Sequence, residues 1–516
     1  MTSREHRSRA PLWSLALCAL LPWIAPSCSE GAPAPERAHP PIILIIVDTL
    51  RAEVFQDESG QPRTRELAQL AEDGVSFPHA FSHAALTLPS HTALLSSRVP
   101  RSTGVVLNGQ QVPEDLPFLQ EHLRAAGYQS GAVASLSVLH GGQLGGGIER
   151  GFDRFERVPH GMRNADETLE QVRSVLADFD RERPFFLLAH FADPHEPYCA
   201  HGELSRTASV SWNGDELESV ELSELRFVQR TVAVREGKNE LRIASEHPLM
   251  VRRARLRGAP ALDLPSGVSS LPAVIDSGQF VARTDAAAER EALLELWLCD
   301  VPESAEKRAR YLREVAYVDG RIGEFLEQLR AEGLYDESLI VFTSDHGEAL
   351  GERGLWGHGG TVFDSMLHVP LMIKPPRSWE GRAELAAQRE RQVRHIDVVP
   401  TLLEILDLSA FDAQQGHSLL SPGPNLLEAC AIPPQSPHRL HCLRDEEYKL
   451  IYDVTEGAFS MYAHGVDREE SNDVYAEQGA QRPEWERMLL DIGSRAVDAP
   501  TEFGAETAEL LDALGY

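Results

Sequence analysis

Three uninterrupted apolar runs constrain this chain more than any other feature. Ile42-Ile43-Leu44-Ile45-Ile46-Val47 ends at Asp48, Phe185-Phe186-Leu187-Leu188-Ala189 ends at His190, and Leu339-Ile340-Val341-Phe342-Thr343 ends at Ser344-Asp345-His346. A strand with one wet face alternates apolar and polar residues. Runs without alternation predict strands buried on both faces, in a central α/β sheet covered by helices. Helical spacing supplies the covers. Leu67, Leu70 and Ala71 share a face of Thr64–Asp73, which stops at Gly74. Val315, Val318, Ile322, Phe325 and Leu329 share a face of Tyr311–Leu329. Such sheets bind ligands beyond the carboxyl ends of their strands, and Asp48, Asp193, His195, Asp345 and His346 all lie at those ends.

A chain of 516 residues is too long for one compact core, and two stretches break the pattern. Between about Glu203 and Phe280, the segments Ser209–Trp212, Arg230–Val234 and Glu240–Ala244 alternate or are β-branched. The turn signals Asn213-Gly214-Asp215 and Gly237-Lys238-Asn239 separate them, which predicts a small inserted β subdomain over 203–285. Beyond 395, a helix over Ile396–Leu408, a Pro-rich stretch and a β-like Tyr448–Tyr452 predict a smaller C-terminal α+β subdomain over 396–516. The main α/β domain is then 41–395.

The amino-terminal end reads as an address. Arg4, Arg7 and Arg9 precede the apolar stretch Ala10–Pro26, which predicts a secretory signal over 1–28 and a flexible Pro/Ala/Glu-rich tether over 29–40. Ala25-Pro26-Ser27-Cys28 resembles a lipoprotein cleavage box, with Cys28 as the lipidated residue; ordinary signal cleavage is the alternative. The chain is therefore expected outside the cytoplasm, periplasmic or lipid-anchored to the envelope, or secreted. Export permits disulfides, and Cys199–Cys299 and Cys430–Cys442 would each close a coherent segment; four free thiols is the alternative. The formal charge of −30 excludes general nucleic-acid binding, which needs a basic footprint. An anionic substrate must be held by local positive charge, and a bound metal would supply it.

The residues with chemistry to offer cluster in two segments. Thr87-Leu88-Pro89-Ser90-His91 puts Thr87 at or just before a helix start, where free N–H groups and the helix dipole favour anions. A threonine there is ordinarily an N-cap. A cation lowering its pKa would make the hydroxyl a nucleophile. Asp48 and the Asp345-His346 pair at predicted strand ends suit one divalent ion with mixed oxygen and nitrogen ligands: Ca²⁺, Mn²⁺, Mg²⁺ or Zn²⁺.

Taken with Gly104-Val105, Gly151-Phe152-Asp153, Asp193-Pro194-His195-Glu196-Pro197-Tyr198 and His368-Val369-Pro370-Leu371, these segments resemble the sulfatase family of the alkaline phosphatase superfamily. The resemblance runs from Pro41 to about Asn472 and omits the inserted β segment. It implies a large mixed central sheet flanked by helices, and an ester hydrolase acting on an anionic ester. Asp48, Asp345 and His346 match metal ligands, and Thr87 matches the nucleophile, itself touching the metal. His195 matches a histidine beside the transferred group, and His358 falls where many relatives carry a lysine. Two departures stand out. Sulfatases typically carry Cys, matured to formylglycine, where Thr87 stands, and Arg where His91 stands. Threonine nucleophiles occur in relatives that cleave or transfer phosphate esters. The expected catalytic set is thus Thr87, His91, His195 and His358, cleaving a sulfate or phosphate ester. Transfer to an acceptor alcohol and a non-catalytic binding lipoprotein are the alternatives. Trp212 and Trp297 are expected in the core, and Gly141–Gly147, with no lysine after it, as a rim loop rather than a phosphate-binding loop.

Overall fold

The computed structural model describes residues 39–514 apart from 56–62, 143, 159–160, 199–205, 223–224, 266–267, 269, 276–277, 302–303, 433–437 and 496–502. The signal segment, Cys28 and the tether up to residue 38 lie outside the described residues. So does Cys199, and with it the Cys199–Cys299 pairing.

The three apolar runs lie side by side in a seven-stranded sheet. Its order is Val75–Ser76, Leu371–Lys374, Leu339–Thr343, Ile42–Val47, Phe185–Phe191, Gln129–Val133, Arg154–Glu156. Ile42–Val47 pairs in parallel with both Leu339–Thr343 and Phe185–Phe191. Leu371–Lys374 runs antiparallel to its neighbours, so the sheet is mixed. The absence of alternation has the expected cause: odd and even residues of each run enter two separate cores. Ile42, Leu44, Ile46, Phe186 and Val341 pack on one face, Ile43, Ile45, Val47, Leu187 and Phe342 on the other. Helices Arg65–Asp73, Ala165–Asp178 and Ser304–Ala331 cover the second face, and Thr87–Ser96, Leu119–Ala125 and Val398–Ile405 the first.

Strands between Thr207 and Asp300 form two four-stranded antiparallel sheets packed face to face around Val210, Ile243, Phe280, Leu294 and Leu296. Asn213 and Gly214, both at positive φ, turn the hairpin that pairs Trp212 with Asp215. The strands run on past residue 285, because Arg290–Asp300 is the central partner of two others. Trp212 and Trp297 are both buried. A last sheet, Leu427–Ala431, Leu440–Arg444, Lys449–Asp453 and Ala458–Tyr462, meanders under helix Pro483–Ser494. Its register separates the second pair of cysteines. Cys442 lies opposite Ala429, so Cys430 points to the other face, and both are buried free thiols.

Candidate active site

The carboxyl ends of the two central strands are sewn together by side chains. Asp48 follows Ile42–Val47, and Thr49 after it adopts φ 56°, a left-handed conformation rare for a β-branched residue. Such a conformation costs about 1–3 kcal/mol and persists where surroundings over-determine it. Here the Thr49 N–H donates to Asp345 Oδ1 at 3.2 Å and the Tyr311 hydroxyl donates to the Thr49 carbonyl at 2.9 Å. The Leu50 N–H donates to Ser344 Oγ at 2.9 Å. The strained turn thus brings Asp48 and Asp345 together.

Each of three side chains leaves one buried lone pair unused. Asp345 Oδ1 accepts from the N–H groups of Thr49 and His346, while Oδ2 has no hydrogen-bond partner. His346 Nδ1 donates to the Gly347 carbonyl at 2.9 Å, which leaves the lone pair on Nε2, also without a partner. Asp48 Oδ2 accepts from Thr87 Oγ1 at 3.4 Å and His190 Nε2 at 3.3 Å, leaving Oδ1 unmatched. Asp48, Asp345 and His346 each present a ligand atom within 4.8 Å of the others, all buried. Burial pushes the Asp48 carboxyl up to about 6, and burial and then the charge of Asp48 raise Asp345. Buried carboxylates held close with orphaned lone pairs form a donor set that a divalent cation satisfies.

Thr87 is the first residue of helix Thr87–Ser96, not its cap. The cap position belongs to Leu86, and Asn108 Oδ1 accepts from the Leu88 N–H at 2.8 Å instead. The Thr87 hydroxyl is therefore available to Asp48. Ser90 Oγ donates to the Asp345 carbonyl at 2.5 Å, fixing the helix start against the opposing strand end. His91, one turn on, donates from Nδ1 to the Thr87 carbonyl at 2.8 Å, and its Nε2 is buried without a partner.

His190, Asn108 and Glu348 complete the surroundings, and none is among the site residues expected from the sequence. His190 ends an apolar run as Asp48 does, so its position was a readable signal. Asn108 and Glu348 carry no such mark. His91, His190 and Asp345 also bring ligand atoms within 4.8 Å, but hydrogen bonding excludes His190 as a ligand. Its Nδ1 accepts from the Ser135 N–H at 3.2 Å, so the ring proton sits on Nε2 and points at Asp48. On the far side, the His358 ring lies 4.8 Å from those of both His346 and His195, and its Nδ1 is 3.4 Å from Glu348 Oε1. Burial holds His358 down at about 4 and His195 well below the usual range, so both imidazoles are neutral. All seven residues expected at the site fall in this one cluster.

A sequence model of the sulfatase family matches residues 40–408. The chain belongs to the sulfatase family. It is similar to a choline-sulfatase from Rhizobium meliloti, 24% identical over 466 residues that cover 80% of this chain and 78% of that protein. Among solved structures, a phosphonate monoester hydrolase from Silicibacter pomeroyi superposes with a TM-score of 0.57 at 18% identity, over 88% of this chain and 95% of that one. A protein solved in complex with its substrate D-glucosamine-2-N,6-O-disulfate gives 0.59 at 17%, over 90% and 100%. The fold is thus alkaline-phosphatase-like, and this sulfatase is an ester hydrolase by family. Its site presents Asp48, Asp345 and His346 as a donor set that would hold a divalent ion, and carries threonine, rather than cysteine, beside it.

Proposed function

We propose that this sulfatase hydrolyses sulfate or phosphate esters with Thr87 as nucleophile. The observation that carries the reading is the Thr87 hydroxyl, 3.4 Å from Asp48 Oδ2 at the edge of the Asp48–Asp345–His346 ligand group. Asp48, Asp345 and His346 would hold a divalent ion, with Thr87 Oγ1 beside it. When bound, the ion supplies positive charge that lowers the hydroxyl pKa and offsets the charge of the ester oxygens. Asp48 Oδ2 is the acceptor that orients the Thr87 proton. At the helix start the Leu88 N–H is held by Asn108 Oδ1, Pro89 has none and the Ser90 N–H bonds the Leu86 carbonyl, so the helix favours the anionic ester through its dipole rather than through a set of N–H groups.

Attack by Thr87 Oγ1 forms a bond to sulfur or phosphorus as the ester oxygen departs with its organic group. The departing oxygen takes up the proton that Thr87 gives up. His195, whose Nδ1 donates to the Glu196 carbonyl at 2.6 Å, keeps a lone pair on Nε2 and can accept that proton and pass it on, with His358 beside it. Water then cleaves the Thr87 ester, releasing sulfate or phosphate and restoring the hydroxyl. Glu348 beside His358 fixes that ring's orientation. The signal-like segment 1–28 supports a proposal of export, with anchoring at Cys28.

The test compares 4-nitrophenyl sulfate, 4-nitrophenyl phosphate and bis(4-nitrophenyl) phosphate with Mn²⁺, Ca²⁺, Mg²⁺ and Zn²⁺ in turn. Turnover of at least one ester should need a cation and vanish in Thr87→Ala. Unchanged turnover in that variant would remove Thr87 from the chemistry.

A further inference from the structure

The inserted β sheets are keyed onto the main domain beside the candidate active site. Gly161, at φ 67°, leaves room for Phe227: a Cβ there would lie 2.1 Å from the ring. Phe227 packs edge-on against Trp297 at 5.0 Å, and Trp297 joins the core of the main domain. The single turn Ser137–Leu139, which borders this junction, packs on the helix that begins at Thr87.

Strand Leu249–Arg257 carries an irregularity at this junction. Val251 pairs with Leu298 and Arg253 with the next residue back, Trp297, so Arg252 is an extra residue. Bulges re-aim side chains, and here two consecutive arginines end up buried, 3% and 1% exposed. Arg252 donates to the Ala513 carbonyl at 3.1 Å, and its charge is felt at His195. Arg253 is different: none of its three guanidinium nitrogens has a hydrogen-bond partner. The acid beside it, Glu509, is 3.5 Å from Nε and partly exposed. Its guanidinium lies 5.5 Å from the centre of the Trp297 ring. Arg253 lines a cavity of about 320 Å³ with Ser137, His140, Trp297, Arg257 and Glu295. Arg257 and Glu295 pair across 2.8 Å and Glu509 pairs with Arg253 at Nε, which leaves Nη1 and Nη2 of Arg253 as buried donors of the wall with no hydrogen-bond partner.

A buried guanidinium with unmet donors is costly, and its fork of N–H groups matches an oxyanion two bonds at a time. We propose that this cavity is a second anion subsite, in which Arg253 binds a carboxylate or further sulfate carried on the organic part of the ester cleaved at Thr87. This rests on the function proposed above and assigns the insert a part in it: substrates carrying two anionic groups are selected over those with one.

The test reads binding, so it does not depend on turnover. Sodium glucuronate, with neutral glucose as control, is titrated calorimetrically into the full chain, Thr87→Ala and Arg253→Met. Glucuronate should bind the first two alike and Arg253→Met about 10- to 100-fold more weakly, the range for a lost charge-assisted pair. Glucose should distinguish none of them. Equal glucuronate affinity in Arg253→Met overturns the subsite. Should Arg253→Met fail to fold, crystals of the unaltered chain soaked in glucuronate decide. Its carboxylate within hydrogen-bond distance of Arg253 supports the subsite, and density absent there overturns it. Retained glucuronate binding with no role for Thr87 in turnover would sink the function above and leave the subsite standing.

Discussion

Replacing His190 with leucine tests how the carboxylate beside Thr87 is oriented. His190 makes two hydrogen bonds through its ring, accepting from the Ser135 N–H at 3.2 Å and donating to Asp48 Oδ2 at 3.3 Å. Losing the neutral one costs about 1 kcal/mol and the one to a carboxylate about 1.5–3 kcal/mol. The variant should therefore lose about 2–4 kcal/mol of stability. More tellingly, Asp48 becomes free to rotate, and loss of a partner that holds a ligand costs about 10- to 100-fold in metal affinity. Calorimetric titration of chelator-treated protein with Mn²⁺ reads that change directly. His190→Gln, whose amide N–H still reaches toward Asp48, should recover part of it. Wild-type Mn²⁺ affinity in His190→Leu would refute the positioning role. Complete loss of binding would make His190 itself a ligand and refute the proton placement on Nε2.

Acid should destabilise the metal-free chain early. Burial holds His91, His190 and His358 at about 4, below their unfolded value of about 6.5, so stability is lost as pH falls between those limits. Asp48 at about 6 and Glu470 at about 7, together with Asp345 and Glu348, are all raised by burial and act in the opposite sense. The depressed imidazoles outnumber them, since His83, His195, His395, His441 and His464 join those three. Melting temperature against pH should fall below pH 6.5, and a flat profile would contradict this burial. Gly161→Ala combines a positive φ with a side-chain clash at Phe227 and should cost about 1–3 kcal/mol by urea denaturation; no loss would contradict the docking of the insert. Chelation should lower the melting temperature, and Mn²⁺ at about 100 times its Kd should restore about 2.7 kcal/mol. No shift on adding Mn²⁺, Ca²⁺, Mg²⁺ or Zn²⁺ would contradict a metal centre at Asp48, Asp345 and His346.

The central sheet was legible because its physics is one-dimensional: a strand buried on both faces has no reason to alternate, and Ile42–Val47 does not. Thr87, Asp48, Asp345 and His346 could be named because each sits at a strand or helix end, where a local pattern marks it. His190 carries the same mark, but its role depends on which ring nitrogen holds the proton, a matter decided by the Ser135 N–H across the sheet and not by the local sequence. Asn108 was invisible for a similar reason; it acts from a loop twenty residues away. The bulge at Arg252 follows from register between Leu249–Arg257 and Arg290–Asp300, and the strands beyond residue 285 hid within an ordinary run of charged and apolar residues. Pairing Cys430 with Cys442 failed because closeness in sequence says nothing about which face of a ladder each thiol occupies.

The central claim is that a threonine hydroxyl attacks the ester, and a covalent adduct is its direct consequence. Protein quenched in acid during turnover of the best nitrophenyl ester, then digested and analysed by mass spectrometry, should carry one sulfo or phospho group on Thr87. Thr87→Ala should carry none. An adduct on another residue, or full turnover by Thr87→Ala, would contradict the account.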